Sequence, residues 1–462
     1  MLKILELRTK KYFCRIAVLL IAIGSMAFLY RHGFHKNFDG KYIVQNADAV
    51  AIADIKNIRN HFTFSYLKNP SEWEWNTSET SIKKKFDLSD FGIKTPDYLA
   101  FFHIENQPAT QWFVTGALEE ETVFEKMATE KHFRKTDLQN GMTVYYSKAL
   151  NLCIIKHLNQ ILVSNIAEKQ KQIAVKTAED LFLKKLFLDA EKTDKIIGTS
   201  NAVTFWIKKN NLLEEDGILN LTLEENAITV DGQLNLKPKF QKEWKFSQNP
   251  NALLSLGFDF EIIRNQKFIT ENSGKISKMI GFDLDSILVH NPSKTELLFN
   301  EIVEKKDSAI SYGYDDNFNP IKKVVVHTNR EPSFHFSMQT VNSKKVFDYL
   351  KSQNVIDNNN VFVNFPLAQT KAFVKHNTLT FEANHFKKNH LQPCIPKIGY
   401  LQVQFNRLQP KDWQFIIAKN KSFELLKTFK SLEINLSKEN NLACFRASLK
   451  AKGGKNLISI VK

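Results

Sequence analysis

Histidine and cysteine side chains come together in one stretch of the chain, at His385, His390 and Cys394. Side chains of this kind bind zinc, and the two histidines have a spacing that fits half of a zinc site. No second pair at ligand spacing accompanies them, and Lys387 and Lys388 place positive charges between the histidines. The pattern therefore predicts no metal site in this stretch.

A second polar stretch resembles the opening of a calcium-binding loop. Asp315, Asn317 and Asn319 have the alternation of the first calcium ligands. Pro320 stands where such a loop needs glycine, and Val326 stands where it needs a bidentate glutamate. The residue pattern indicates an ordinary polar loop.

Two tryptophans, Trp73 and Trp75, alternate with Glu72 and Glu74. Aromatic faces beside carboxylates could stack on sugar rings, which is one interpretation. The other is that the tryptophans cover an edge of a hydrophobic core, and the general burial of tryptophan favours it.

Motifs of the common enzyme classes are missing from the sequence. Gly274-Lys275 lacks the earlier glycine and the following hydroxyl residue of a phosphate-binding loop, and no serine-hydrolase elbow, zinc-protease or dinucleotide motif occurs. Glycosidases use paired carboxylates that leave no sequence signature. We therefore name no catalytic residue, no metal ligand and no cofactor, and a hydrolase remains the alternative to a non-enzymatic protein.

The four cysteines, Cys14, Cys153, Cys394 and Cys444, do not form a disulfide scaffold. Cys14 precedes the first apolar run, so an odd number remains in the body of the chain without paired spacing. One bridge among these three and buried free thiols are both open, and the second is favoured.

The first structural element of the chain is an N-terminal apolar segment, residues 16–30. Five basic residues precede it: Lys3, Arg8, Lys10, Lys11 and Arg15. As a helix the segment spans roughly 22 Å, and with residues 12–14 and a snorkelling Arg15 it reaches roughly 28 Å, close to a bilayer core. The basic flank predicts a cytoplasmic tail (1–15), a single transmembrane anchor (16–30) in contact with lipid, a linker (31–41) and an extracytoplasmic body.

A cleaved signal peptide is the alternative to an anchor. Ser25 and Ala27 occupy positions that a signal peptidase could use. Phe28, Leu29 and Tyr30 continue the apolar run past that position, which favours the anchor. Both interpretations predict export from the cytoplasm, and the anchor predicts an inner-membrane, single-pass protein with its body in the periplasm.

The net charge of +15 arises from 64 basic and 49 acidic residues. The basic residues occur as scattered pairs with acidic residues between them. This pattern favours a solvated basic surface over a groove that binds nucleic acid. An exported basic protein is expected to contact an anionic polymer, an anionic membrane or another envelope protein.

Short segments recur in the same order along the chain, which indicates two copies of one unit. Gln45-Asn46-Ala47-Asp48-Ala49 is matched by Gln248-Asn249-Pro250-Asn251-Ala252, and later pairs align Phe124 with Phe347 and residues 227–236 with 442–451. Collinear matches of this kind predict tandem units at 42–240 and 246–462, the second with extra residues at 289–332.

Within each unit the hydrophobic pattern predicts an α+β fold with antiparallel sheets and flanking helices. Helices are predicted at 119–130, 167–175, 178–188 and 343–351. Hairpin turns are predicted at Asn140-Gly141 (type I′), Glu225-Asn226 and Asn440-Asn441, and a bulge at Asp231-Gly232.

The opening strand and the composition resemble those of uncharacterised envelope proteins of Bacteroidota. Those families carry a Pro-Ala-Asp-Ala stretch at the mature N-terminus, which here reads Ala47-Asp48-Ala49 after Asn46, with the proline only at Pro250. The resemblance implies location and fold, and it carries no chemistry. Together these observations predict a membrane-anchored extracytoplasmic envelope protein that is a binding or structural module.

Reporter fusions test this topology. We expect a reporter that works only in the cytoplasm to be silent at Arg31 and at Lys462, because both follow the apolar segment. Activity at Lys462 would contradict the model. A mature N-terminus at Phe28 would keep the export and replace the anchor with a signal peptide.

Overall fold

The computed structural model describes residues 36, 38, 42–70, 88–197, 201–264, 266–314, 318, 320–365, 367–383, 386–387, 392–393, 395–419 and 421–461. The chain divides into two compact units, the first formed by residues 1–208 and 220–225 with the last two residues, and the second by residues 209–219 and 226–460. The predicted bounds 42–240 and 246–462 are those of a sequence repeat. The division into compact units does not test them, and they stay a prediction.

The first unit is built on an antiparallel sheet. Pairing joins its strands in the order β4, β5, β6, β7, β3, β2, β1, β8. Their bounds are β1 Ala47–Asp54, β2 Tyr98–Ile104, β3 Phe113–Ala117, β4 Arg134–Asp137, β5 Thr143–Ser147, β6 Leu152–His157, β7 Gln160–Ser164 and β8 Val203–Ile207.

Small and β-branched residues make β1 a strand that is buried on both faces. Val50, Ala51 and Ile52 are successive and all buried, which fits an interior strand between β2 and β8. At its end, the Asp54 carboxylate accepts from the Asn57 amide at 2.8 Å and caps helix α1 (Ile55–Lys68). The other α-helices among the described residues of the unit are α2 Glu121–Glu130, α3 Lys171–Ala178 and α4 Ala190–Ile197.

Helix α2 covers one face of this sheet. Its Phe124 is fully buried and meets Tyr145 of β5 edge-on, with ring centroids 5.2 Å apart. Ile154 and Ile161 of β6 and β7 complete the cluster. The apolar face of the helix and the apolar face of the strands therefore pack together in a single core.

The strands that follow in the chain form the sheets of the second unit, apart from β9, part of which belongs to the first. Pairing runs in the order β10, β20, β19, β18, β12, β13, β14, β16, β15, and β11 pairs with β17 separately. The bounds are β9 Gly217–Leu223, β10 Ala227–Leu234, β11 Ser247–Gln248, β12 Leu254–Asp259, β13 Lys294–Tyr314, β14 Pro320–Gln339, β15 Thr370–Lys375, β16 Thr378–Ala383, β17 Gln392–Pro393, β18 Gly399–Gln404, β19 Phe429–Glu439 and β20 Leu442–Ala451.

The α-helices of the second unit include one that packs as α2 does in the first. Its helices are α5 Glu261–Arg264, α6 Lys267–Ile280, α7 Asp285–Leu288, α8 Ser343–Ser352, α9 Pro410–Lys419 and α10 Ile458–Val461. Helix α8 begins where the Asn342 side chain accepts from the Lys345 amide at 3.1 Å. Its Phe347 and Leu350 join a core with Leu379 of β16.

Strand pairing follows the same order in the two units. In the first unit β1 lies between β2 and β8, β2 pairs with β3, and β3 pairs with β7. In the second unit β12 lies between β13 and β18, β13 pairs with β14, and β14 pairs with β16. Ala49 lies in β1 and Ala252 lies just before β12, while Phe124 and Phe347 lie on α2 and α8.

The second unit contains a hairpin whose two strands extend far beyond the rest of the sheet. Strand β12 pairs only with residues 294–299 of β13, and β16 pairs only with residues 335–339 of β14. Residues 301–314 and 320–333, named here the arm, pair with each other beyond that point. The sequence predicted extra residues at 289–332, and the structure shows that most of them extend two strands.

The predicted α+β class and its antiparallel sheets are confirmed, while the turns were predicted unevenly. Asn440 and Asn441 both have positive φ and join β19 to β20, as predicted. The hairpin at Asn140-Gly141 exists, but only Gly141 has positive φ, so the type I′ prediction was wrong. Strand β10 pairs with β20 without a register shift through Asp231-Gly232, so this pairing contains no bulge, and at the other edge of β10 the predicted bulge stays a prediction.

Helix bounds agree where an apolar stripe faces a sheet. Helices 119–130 and 343–351 were predicted, and α2 and α8 match them within two residues. The predicted helix at 178–188 was wrong, because a π-helical turn at Glu179–Leu183 ends the preceding helix and Phe187 pairs as a β-bridge with Val44. Within the described residues, no helix has the length and apolar character needed to cross a bilayer, and the predicted anchor at 16–30 lies outside them.

Truncation of the first-unit core tests its packing. We expect Phe124→Ala to lower the free energy of unfolding by about 3–5 kcal/mol, because it leaves a cavity beside Tyr145. The matched control is Leu158→Ala in the same unit, since Leu158 is 75% exposed. Hydrogen exchange of residues 121–164 measures this unit separately from the second, and equal protection in both variants would contradict the packing described.

Candidate functional site

A polar cleft of about 450 Å³ opens in the second unit, where β13 leaves the sheet. Its lining residues are Asn249, Asn251, Asn300, Glu301, Ser333, Lys387 and Arg407. Three of them, Asn249, Asn300 and Ser333, are buried although they carry polar side chains. Convergent amides and hydroxyls in the lining of a cleft are typical of sites that contact a polar ligand.

A β-bulge creates the inner wall of this cleft. The β13–β14 register shifts between Phe299 and Glu301, so Asn300 is the extra residue of β13. An extra residue redirects its side chain and bends the strand. Here the Asn300 Oδ1 accepts from the Asn249 Nδ2 at 2.8 Å, and the Asn300 carbonyl accepts from the Leu253 amide at 3.1 Å.

Asn249 holds the opposite wall through a turn. Its carbonyl accepts from the Ala252 amide at 2.9 Å, and its Oδ1 accepts from the Asn251 amide at 3.0 Å. Asparagine favours such turns because its side chain can replace a backbone acceptor. The turn leads into β12 and thereby fixes Asn249 against the bulge.

Cations line the outer part of the cleft. Arg407 lies in the 3-10 turn Phe405–Arg407 after β18, and both Arg407 and Lys387 are exposed. Glu301 is the acidic member of the lining. Exposed guanidinium and ammonium groups above neutral amides and a hydroxyl suit a ligand that carries an anionic group and several hydroxyls.

A smaller cavity of about 150 Å³ adjoins the cleft and shares Asn300, Glu301 and Arg407 with it. Within it, Arg330 Nη1 lies 2.6 Å from Asp412 Oδ1, and Asp412 Oδ2 accepts from the Gln409 amide at 2.8 Å. Both carboxylate oxygens of Asp412 are therefore bonded within the protein. Asp412 holds the start of α9 against the base of the arm.

A separate cavity of about 620 Å³ lies in the first unit, lined in part by Lys94, Asp97, Tyr98 and Glu119. Desolvation, followed by the charges of Asp54 and Asp97, raises the pKa of Tyr98 to about 12. Asp97 lies 2.9 Å from Lys56, so this carboxylate is paired. The Tyr98 hydroxyl is consequently a neutral hydrogen-bonding group at physiological pH.

An Asp–His pair in the first unit resembles part of a catalytic triad. A register shift in β1 at Asp48 brings its Oδ1 to 2.6 Å from the His103 Nδ1. The other ring nitrogen lies 3.1 Å from the Pro108 carbonyl oxygen. Both neighbours are acceptors, so the protonated ring can donate to both, and the hydrogen bond to Asp48 raises the pKa of His103. This arrangement joins β1, β2 and a loop, and the Pro108 carbonyl occupies the ring nitrogen that a triad would use as its base.

Several residues weighed in the sequence lie outside the described part of the chain. They are Glu72, Trp73, Glu74, Trp75, Asp315, Asn317, Asn319, His385, His390 and Cys394. Gly274 and Lys275 lie inside α6, which is a helix rather than a phosphate-binding loop. Across the residues that the structure does describe, no group of three potential metal ligands comes together.

The described cysteines, Cys153 and Cys444, are free and buried. Burial raises the pKa of Cys153 to about 11 and also raises the pKa of Cys444. A thiol with a raised pKa is a poor nucleophile at neutral pH. Free buried thiols were the favoured interpretation of the sequence, and these two agree with it.

The residues of the cleft were missed in the sequence because they are far apart along the chain. Asn249 and Asn251 stood out only as part of the repeat, and Lys387 only as part of a basic pair. The signals available were the Asn-Pro-Asn turn before a buried strand and the break in alternation at Asn300. Neither signal indicates by itself which residues share a cleft.

Comparison with known proteins gives little further guidance. No protein-family model and no curated protein matches this sequence. Among solved structures, crystal form IV of TP0453 is similar at 14% identity and a TM-score of 0.28, covering 44% of this chain and 83% of that one. Crystal forms III and I of TP0453 give 11% identity and a TM-score of 0.23, and cover 75% of this chain with 93% and 92% of theirs. Likeness at this level carries no argument about function.

The His103–Asp48 pair predicts a pH-dependent stability. A raised pKa means that protonation stabilises the folded state, so the contribution is complete below the ordinary pKa of about 6.5 and is lost as pH rises through the folded-state pKa. We expect the variants His103→Gln and Asp48→Asn to lack this decrease in the free energy of unfolding with rising pH. Urea denaturation at a series of pH values measures it. If the difference between parent and variants grows as pH rises, the assignment is wrong.

Proposed function

We propose that this chain is a membrane-anchored protein of the bacterial cell envelope, of the kind that its opening strand resembles in Bacteroidota. The apolar segment 16–30 with its basic flank supports a single inner-membrane anchor, and an extracytoplasmic body follows from it. The body is a binding module, and its ligand is an anionic, hydroxyl-rich group of an envelope polymer.

The polar cleft of the second unit is the observation that carries this proposal. Its lining combines the amides of three asparagines and the Ser333 hydroxyl, which suit the hydroxyl groups of a sugar, with the cations of Lys387 and Arg407. Arg407 can bind a carboxylate or phosphate through two parallel hydrogen bonds. The overall charge of +15 adds a long-range attraction to an anionic polymer.

The proposal includes descent of the two units from one duplicated unit. The shared pairing order around β1 and β12 supports it, as do the corresponding helices α2 and α8 with Phe124 and Phe347. A duplicated unit can evolve a second surface on the same tether, which raises avidity without new chemistry.

The alternative is a hydrolase that acts on envelope glycans or peptides. Glycosidase chemistry needs two carboxylates, one of them an acid and the other a base or nucleophile. Among the described residues that line the cleft and the adjoining cavity, the carboxylates are Glu301 and Asp412, and Asp412 is engaged by Arg330 and the Gln409 amide. This arrangement favours binding over hydrolysis.

Binding to a defined polyanion tests the proposal. We expect the detergent-solubilised full chain to bind polygalacturonate more tightly than the neutral polymer dextran, with an affinity that falls as salt rises. The variant Arg407→Glu should weaken this binding at least about tenfold, because a charge-assisted hydrogen bond contributes about 1.5–3 kcal/mol.

The matched control is Arg446→Glu, which changes the net charge equally at an exposed arginine of β20. We expect it to bind the polymer nearly as the parent does. Equal losses in the two variants would mean that only net charge matters and that the cleft is not the site. Release of new reducing ends during incubation would instead support the hydrolase.

A further inference from the structure

The most exposed apolar side chains on the paired strands of the arm lie on one of its two faces. Side chains alternate between the faces of a strand, and cross-strand partners share a face. The register pairs Ser308 with Val326, Ile310 with Val324, and Tyr312 with Lys322, so these six residues lie on one face.

Four large side chains of this face form what is named here the apolar stripe: Ile310, Tyr312, Val324 and Val326. Their exposed fractions are 60%, 66%, 70% and 59%, whereas Val325 on the opposite face is 37% exposed. Phe318, in the connection between the strands, is 85% exposed. A contiguous apolar patch of this kind indicates a surface that contacts a partner.

The charges on the same face indicate which partner. Lys322 borders the stripe toward the connection, and Lys306, paired with Thr328, borders it toward the sheet. Both lysines are exposed, and no carboxylate lies on this face between them among the residues described. A second copy packed antiparallel on the stripe would bring Lys306 of one chain against Lys322 of the other, which like-charge repulsion disfavours.

We propose that the apolar stripe lies in the headgroup region of an anionic lipid bilayer. Valine and isoleucine side chains enter the acyl boundary, the tyrosine ring lies at headgroup depth, and the two lysines reach lipid phosphates. This inference rests on the proposed membrane anchor, because the anchor keeps the arm and the bilayer at high effective concentration.

Backbone hydrogen bonding sets the depth of the contact. Among the described residues, the two strands of the arm pair with each other and no third strand pairs with them, so each strand presents one edge to its surroundings. Such edges cannot enter hydrocarbon, since each unsatisfied group would cost several kcal/mol there. The arm therefore lies along the interface, where water still reaches both edges, and the alternation of its two faces is preserved.

Depth measurements at single positions test this arrangement. The full chain, with Cys14→Ser and Cys394→Ser and with the buried Cys153 and Cys444 kept, is reconstituted in vesicles of phosphatidylethanolamine and phosphatidylglycerol that contain nitroxide-labelled lipid. A fluorophore is attached at Val324→Cys, at Val325→Cys, or at Val289→Cys, an exposed position of the same unit outside the arm. Because neighbouring strand positions point to opposite faces, Val325 is the matched control for Val324.

We expect the lipid nitroxide to quench the label at 324 at least about twice as strongly as the labels at 325 and 289. The double variant Lys306→Glu with Lys322→Glu should reduce the quenching at 324, and so should vesicles of phosphatidylcholine alone. For each lysine charge that is lost, the ratio of membrane-bound to unbound arm should fall about fivefold.

Other outcomes overturn the inference. Equal quenching at 324 and 325 would exclude contact through one face, and no quenching at 324 would exclude the contact itself. A change of fluorescence that depends on protein concentration without vesicles would show that a second copy covers the stripe. The experiment separates the two proposals. If the proposed anchor is wrong, the protein does not co-float with the vesicles. If only the proposed contact of the arm is wrong, the protein co-floats and its label at 324 is not quenched.

Discussion

Antiparallel backbone pairing is the interaction on which the rest of this structure depends. Each unit is organised around an interior strand, β1 or β12, that has a partner on both sides. A strand in this position satisfies its amides and carbonyls within the sheet and can be buried on both faces. The helices, turns and clefts are fixed by which strands continue this pairing and where they stop.

Interruptions of the pairing redirect polar side chains. The bulge at Asn300 places a polar side chain in the lining of the cleft, and the register shift at Asp48 places a carboxylate beside His103, where it joins β1 to β2. Beyond the bulge, no other described strand pairs with β13 or β14, and the two continue as the arm. Both proposed binding surfaces therefore lie where the regular pairing is interrupted or ends.

The two proposed contacts make different use of positive charge. In the cleft, Arg407 and Lys387 stand above buried amides, so a ligand is held by charge and by directed hydrogen bonds together. On the arm, Lys306 and Lys322 border aliphatic side chains, so the contact combines charge with apolar burial and has little directionality. An anionic envelope offers both kinds of partner, a polymer and a lipid surface.

The sequence by itself determined the elements whose signals are local. Helical spacing located α2 and α8, alternation located the strands at 227–236 and 442–451, and an asparagine pair located the turn between β19 and β20, because a residue with positive φ needs only its own side chain to favour it. The order of recurring segments also predicted the repeat. Tertiary structure alone decided the cleft, since Asn249, Asn300, Ser333 and Arg407 come from separate strands and turns that only sheet pairing brings together. It also decided that residues 301–314 and 320–333 form an arm beyond the sheet: their alternation would equally suit a strand inside a sheet, and burial depends on neighbours that a sequence pattern does not contain.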